Sequence, residues 1–167
     1  MKPGNLPFIS QIRRNHGLEH ATMHVLIQRD PHLSLVGRSD WRGFTVYGNV
    51  GTHELELAAR EALDRLKAGE RELAVHPRCG TMLTTTGLLS GIAAFLALGI
   101  GGSRSRFRWA SLPETLLAAT VAAVLAQPLG LLFQQYITTS GDAGKLHIRR
   151  VYRQRGGPVP THRVETG

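Results

Sequence analysis

Apolar residues are gathered in two long stretches in the second half of the chain, whereas shorter apolar and polar segments alternate elsewhere. Residues 79–103 contain no charged side chain and have an apolar centre over 88–100, and residues 115–141 form a second uncharged stretch centred on 116–133. At about 1.5 Å of rise per residue, each stretch is long enough as a helix to cross a hydrocarbon layer about 30 Å thick. The pattern therefore predicts a transmembrane helical hairpin. A buried helical hairpin in a soluble all-helical protein is the alternative.

The polar connection between the two stretches, residues 102–114, carries three arginines and a tryptophan. Basic and aromatic side chains in such a position are typical of a membrane–water interface. More basic residues precede the first stretch and follow the second, and positive charge favours the cytoplasmic side. We therefore predict a multi-pass protein of the cytoplasmic (inner) membrane with both termini in the cytoplasm. The basic and aromatic residues that place the connection at a membrane–water interface are Arg104, Arg106, Arg108 and Trp109.

The first half of the chain has the pattern of a small α+β unit. Helical spacing of apolar residues alternates there with short apolar runs bounded by turn residues. The predicted elements are a helix over residues 10–28, strands over 33–36 and 44–47 joined by a polar turn, a helix over 53–68 with Thr52 as its N-cap, and an extended segment over 72–75.

The chain is predicted to form three segments. A cytoplasmic α+β metal-site unit covers residues 1–78, a transmembrane hairpin covers 79–141, and a basic segment over 142–167 packs on the first unit. In the last segment, partial alternation predicts a strand over 145–154, and glycine and proline predict irregular structure over 156–167. The predicted fold class is α+β, with a small N-terminal helix and strand unit, a two-helix transmembrane hairpin and a short C-terminal strand.

The positive charge of the chain limits the classes of partner that are expected. Lysine and arginine total 20 against 12 aspartates and glutamates, for a formal net charge of +8, and only 6% of residues are aromatic. The basic residues flank apolar segments and do not interleave with aromatic residues, so a lipid bilayer is the expected partner and no specific nucleic acid is expected. Other membrane protein subunits are further possible partners. A binder of nucleic acid or anionic lipid through the basic tail is a weaker alternative.

A histidine-rich face on the first predicted helix is a candidate metal site. His16, Glu19 and His20 are spaced three and four residues apart, and His24 continues the same face one turn later. Two imidazoles four residues apart suit a Zn²⁺ ion, and this His-x-x-Glu-His order is the inverted zincin pattern, in which the glutamate acts as general base. Such a face is equally often a solvated polar surface. His32, His147 and His162 are expected at the surface, and His53 lies at the predicted start of a helix.

A second candidate box precedes the first apolar stretch. His76 and Cys79 offer a nitrogen and a sulfur from a turn fixed by Pro77 and Gly80, and Arg78 lies beside the thiol. A turn before a helix with an inert thiol is the alternative. Because Cys79 is the single cysteine, an intramolecular disulfide is excluded.

The two boxes together, His-Gly-Leu-Glu-His from residue 16 and His-Pro-Arg-Cys-Gly-Thr from residue 76, resemble the signature boxes of uncharacterised bacterial membrane protein families described as predicted metal-dependent enzymes. The resemblance covers the boxes and the apolar stretch that follows them. It implies one metal site formed by the residues of both boxes, and it implies no particular reaction. The implied site residues are His16, Glu19, His20, His76 and Cys79.

The number of protein ligands decides what such a site does. Four ligands, His16, His20, His76 and Cys79, would close a tetrahedral shell around a structural Zn²⁺. If one stands off, a water can bind and Glu19 can act as its base, which predicts a zinc-dependent, hydrolase-like enzyme at the membrane interface. The alternative is a non-enzymatic accessory or assembly subunit of a membrane complex with structural zinc. Nitrogen and sulfur donors favour Zn²⁺, with Fe²⁺ as a second choice.

Overall fold

The computed structural model describes residues 7–77, 79–100 and 111–167, and these divide into two compact units. The first, here called the α+β unit, combines the chain up to residue 76 with residues 134–167. The second, the hairpin unit, comprises residues 77–133. The chain thus leaves the first unit, forms the second and returns, and the predicted α+β fold class is confirmed.

The α+β unit contains two long helices and a four-stranded antiparallel sheet of strand order β1-β2-β4-β3. Helices α1 and α2 pack on each other and against one face of the sheet, and the core between them is formed by residues such as Leu18, Leu26, Phe44, Leu55 and Val164. Its elements are α1 (Pro7–Arg29), β1 (Val36–Asp40), β2 (Gly43–Tyr47), α2 (Thr52–Lys67), a 3₁₀ turn (Arg71–Ala74), a π turn (Gln134–Thr138), β3 (Ile148–Gln154) and β4 (Thr161–Thr166).

The predicted irregular structure over residues 156–167 is wrong. Strand β4 lies there, between β2 and β3, and it is more central in the sheet than the strand that was predicted. Apart from Gly167, the glycines and prolines of this stretch lie in the loop over 156–160, and the residues that follow the loop form the strand. The composition of the loop concealed the strand that follows it.

Three local predictions in the first half also need correction. The first strand covers Val36–Asp40 and not residues 33–36. The strand can contain the charged residue Asp40 because the sheet supplies its hydrogen bonds: the Arg163 guanidinium donates to both carboxylate oxygens, at 2.7 and 2.8 Å. The segment around residues 72–75 forms the 3₁₀ turn and is not extended throughout. Thr52 is the first residue of α2 and not its cap, since Gly51 occupies the N-cap position without a side-chain hydrogen bond.

The hairpin unit consists of α3 (Gly80–Ile100) and α4 (Leu112–Phe133), which pack against each other. The Ser90 hydroxyl donates to the Ala119 carbonyl oxygen at 3.1 Å, and Pro128 lies inside α4 without ending it. Predictions that concern Arg78 and the connection at Arg104, Arg106, Arg108 and Trp109 lie outside the described residues.

Two helices are long and apolar enough to cross a membrane, over Gly80–Gly99 and Leu112–Thr138. Only 6% of the most apolar part of the first and 11% of that of the second are buried, and side chains such as Leu83 and Phe95 are largely exposed. A helical hairpin in the core of a soluble protein would have these side chains covered. Their exposure fits a hydrocarbon environment, in which apolar side chains on every face of a helix are stable.

Candidate metal centre

The polar residues of α1 point in two directions. His16, His20 and His24 recur every four residues and lie on one face, which is turned toward the 3₁₀ turn and the π turn. Asn15 and Glu19, also four apart, face the sheet, where they bond to residues of β1. The helix therefore separates a histidine face from a buried amide and carboxylate face.

The histidine face and His76 form a cluster of four rings within the α+β unit. The ring centroids of His16 and His20 are 4.4 Å apart, those of His20 and His76 5.8 Å, and those of His24 and His76 4.8 Å. His76 immediately follows the segment that contains the 3₁₀ turn, which packs on α1. The structure therefore brings the histidine of the second sequence box to the histidines of the first.

Backbone carbonyl groups fix which ring nitrogens carry hydrogen. Nδ1 of His16 lies 3.0 Å from the Thr138 carbonyl oxygen, and Nδ1 of His20 lies 2.7 Å from that of Ala74. Because a carbonyl oxygen only accepts, each Nδ1 carries the hydrogen, and the lone pair of the neutral ring is then on Nε2. Metal-binding histidines typically donate one N–H to a carbonyl and present the other nitrogen to the ion. His24 has the reverse arrangement, with Nε2 donating to the Val75 carbonyl oxygen at 2.9 Å.

The Nε2 atom of His20 is the clearest indication that this cluster is a metal site. The side chain is only 3% exposed, and Nε2 is buried without a hydrogen-bond partner in the part of the chain that the structure describes. Buried polar atoms nearly always have a partner in native proteins, whether from the protein, ordered water or a bound ligand. A buried lone pair on a ring that lies beside other imidazole rings suits a metal cation.

The π turn holds two of the four histidines. In addition to the bond from His16 to its last residue, Thr138, the side-chain Oε1 of Gln134 accepts a hydrogen bond from the backbone N–H of His76 at 2.9 Å. The guanidinium of Arg13 on α1 donates to the carbonyl oxygens of Tyr136 and Thr139 at 3.0 to 3.2 Å. Turns of π type are frequent at functional sites. This one fixes the ring of His16 from the first sequence box and the backbone of His76 from the second.

Gly17 allows α1 to approach the neighbouring segments closely. A Cβ atom at this position would overlap the carbonyl group of Ser140 and would lie 3.2 Å from the Cβ of Ala74. Since Ser140 follows the π turn and Ala74 ends the 3₁₀ turn, the missing side chain lets both partners of the histidine face reach it. The glycine of the first box therefore has a packing role.

Glu19 is held on the sheet side of α1. Its carboxylate accepts a hydrogen bond from the Ser39 hydroxyl and packs directly over Gly37, where a side chain would collide with it. Burial raises the pKa of the Glu19 carboxyl above its ordinary value, and the Ser39 hydrogen bond and the charge of His16 offset this only in part. The carboxylate is therefore bonded on the sheet side of α1.

Cys79 belongs to the hairpin unit, immediately before α3. Its sulfur accepts a hydrogen bond from the backbone N–H of Thr81 at 3.4 Å. Donors at the start of a helix favour the thiolate, which is the metal-binding form of cysteine. A thiolate and the imidazoles of the α+β unit are both ligand types that bind Zn²⁺ in proteins.

Sequence reasoning missed the residues that orient the cluster. Nothing in the local pattern marks Gln134, Thr138 or Ser39, because each acts across a long separation in the chain. Of the histidines expected at the surface, His32 and His147 are exposed. The prediction for His162 is wrong, because this residue is only 2% exposed and lies in β4, one of the two central strands.

The sequence matches the family described as a domain of unknown function (DUF6391) over residues 11–151. It is also similar to an uncharacterized protein of Picosynechococcus sp., with 38% identity over an alignment of 138 residues; the match covers 77% of this chain and 66% of that protein. The chain thus spans slightly less than two thirds of the length of this relative. No solved structure matches the chain. Because the family match covers most of the chain, the chain belongs to this family.

Proposed function

We propose that this member of the DUF6391 family is an integral membrane protein that holds one transition-metal ion with His16, His20, His76 and Cys79. The single observation that carries the proposal is the buried Nε2 of His20, which has no hydrogen-bond partner among the described residues. Its own Nδ1–H is engaged with the Ala74 carbonyl oxygen, as the second ring nitrogen of a metal ligand usually is.

The ring distances support a shared ion. With Zn–N bonds of about 2.0–2.1 Å and tetrahedral angles, two imidazoles on one zinc have centroids roughly 5 Å apart. The His16–His20 and His20–His76 centroid distances of 4.4 and 5.8 Å lie on either side of this value. Cys79 follows His76 by three residues, so the chain itself keeps the thiol within reach of the cluster.

Zinc is the ion that this set of donors favours. Imidazole nitrogen and thiolate sulfur are the usual ligand types of tetrahedral zinc sites, and oxygen-preferring ions such as Mg²⁺ and Ca²⁺ are disfavoured by such ligands. Fe²⁺ is the second choice. The bilayer is the proposed environment of α3 and α4, and the larger number of basic residues outside the connection favours cytoplasmic termini.

Two roles follow from the same ion. The first is a hydrolase-like enzyme at the membrane interface, in which one of the four side chains would stand off and Glu19 would accept a proton from a water, while zinc would supply the lowered pKa of that water. Burial of Glu19, which raises the pKa of its carboxyl, favours this role. The second is an accessory or assembly subunit in which zinc is structural. The hydrogen bond that holds Glu19 to Ser39 favours this second role, because the carboxylate is occupied on the sheet side of α1.

Replacement of Glu19 by glutamine distinguishes the two roles. For the enzyme, Glu19→Gln should keep one zinc per chain while hydrolysis of activated esters and phosphate esters by the nanodisc-reconstituted protein falls by about 10²–10⁴-fold, the usual contribution of a general base. Glu72→Gln, at an exposed position of the 3₁₀ turn, is the matched control and should change neither quantity. Zinc-dependent hydrolysis that survives Glu19→Gln contradicts the base role. A wild-type protein that binds zinc but hydrolyses none of these substrates would support the subunit role.

A further inference from the structure

Gln134 is fully buried beside the proposed metal site, and its two amide atoms have different surroundings. The Oε1 atom accepts the hydrogen bond from the backbone N–H of His76 at 2.9 Å. Because that N–H is a donor, the oxygen and not the nitrogen of the amide must face it, which fixes the orientation of the side chain. The NH₂ group is therefore turned away from the backbone of His76.

The Nε2 atom of Gln134 is buried and has no acceptor among the described residues. The residue cannot easily relocate its amide, because the π turn fixes its backbone: the N–H and the hydroxyl of Thr139 both donate to the Gln134 carbonyl oxygen, at 2.9 and 2.8 Å. A buried amide N–H without an acceptor is rare in native proteins and indicates a water or a ligand that supplies one.

A second buried side-chain atom without a hydrogen-bond partner belongs to a residue whose ring lies near that of His76. Nε2 of His20 has a lone pair that suits a cation, and its ring lies 5.8 Å from that of His76, the residue whose backbone Gln134 holds. Gln134 offers a hydrogen where an oxygen or an anion would be bound. A cation that carries one additional, non-protein ligand satisfies both atoms at once.

We propose that Gln134 is a positioning residue of the metal site, which holds His76 through Oε1 and donates its Nε2 hydrogen to a non-protein oxygen donor or small anion beside the ion. This inference rests on the proposed function, because it presupposes a metal at the histidine cluster. It deepens that function by giving the place of one of the four proposed side-chain ligands to a non-protein group, so that the site is open to a water or to an anionic group of a substrate. A purely structural, closed zinc site has no such place.

The test uses the full chain in phosphatidylcholine nanodiscs, loaded with Co²⁺, whose visible absorption reports the surroundings of the ion. Azide is the probe, titrated at saturating Co²⁺. The wild type should bind azide with a change in the cobalt spectrum, and Gln134→Leu should weaken azide binding about tenfold or more, because a hydrogen bond to a charged group is lost. Gln154→Leu, at an exposed position on β3, is the control and should bind azide as the wild type does.

A second variant separates this role from simple support of His76. Gln134→Glu keeps an oxygen for the His76 N–H but replaces the NH₂ group, so it should bind Co²⁺ as well as the wild type while azide binding is lost. The inference is overturned if the wild type shows no azide-dependent change, or if Gln134→Leu binds azide like the wild type. Failure of the wild type to bind Co²⁺ at all instead overturns the proposed metal site.

Discussion

Replacement of His20 by alanine should lower the zinc affinity of the chain by more than about 100-fold. The loss of a group that merely orients a ligand already costs about 10- to 100-fold in metal affinity, and His20 is proposed as a ligand itself. His76→Ala should have an effect of similar size, although the two histidines are far apart in the sequence, because their rings lie 5.8 Å apart. Competition with a chromophoric chelator measures the affinity.

His147→Ala is the matched control for these two variants. His147 is exposed and lies in the same α+β unit, so its loss removes a histidine without touching the cluster. Its zinc affinity should equal that of the wild type. Equal affinities of all four proteins would show that zinc binds elsewhere, and a loss in His20→Ala alone would remove His76 from the site.

Replacement of Gly17 by alanine should destabilise the α+β unit and weaken zinc binding together. The new Cβ would overlap the Ser140 carbonyl group, which as backbone cannot turn aside, so α1 must move away from the segment after the π turn. Overpacking of this kind costs about 1–3 kcal/mol in the free energy of unfolding. The same movement separates His16 and His20 from the carbonyl groups that orient them. Thermal unfolding and zinc competition measure the two effects.

Gly87→Ala provides the comparison for Gly17→Ala. Gly87 lies inside α3, and a Cβ there would meet no atom within 4 Å. Alanine also has the higher helix propensity, so this variant should be as stable as the wild type or more stable. If Gly17→Ala leaves both the unfolding temperature and the zinc affinity unchanged, the close approach described for α1 is not needed.

The apolar helices and the histidine boxes could be predicted because each depends on residues that are close in sequence. An uncharged run longer than a hydrocarbon layer is thick has few alternatives to a long apolar helix. His16 and His20 share a face through helix geometry alone. The position of strand β4 was harder to predict, because its six residues follow a loop rich in glycine and proline and gain their stability from two neighbouring strands.

The orientation of the site residues could not be predicted from local pattern. Thr138 orients His16 across 122 residues, and Gln134 holds His76 across 58. Both contacts form only because the chain returns to the α+β unit after the hairpin unit. Glu19 illustrates the same limit: one residue corresponds to about 100° of helix rotation, so a carboxylate next to His20 in sequence faces the sheet and bonds to Ser39.

The most direct test of the metal site is X-ray absorption spectroscopy of the zinc-loaded full chain. The proposed site predicts nitrogen ligands at about 2.0–2.1 Å with the outer-shell scattering of imidazole rings, and one sulfur at about 2.3 Å that disappears in Cys79→Ser. A spectrum without imidazole scattering, or one that His20→Ala and His76→Ala leave unchanged, would contradict it.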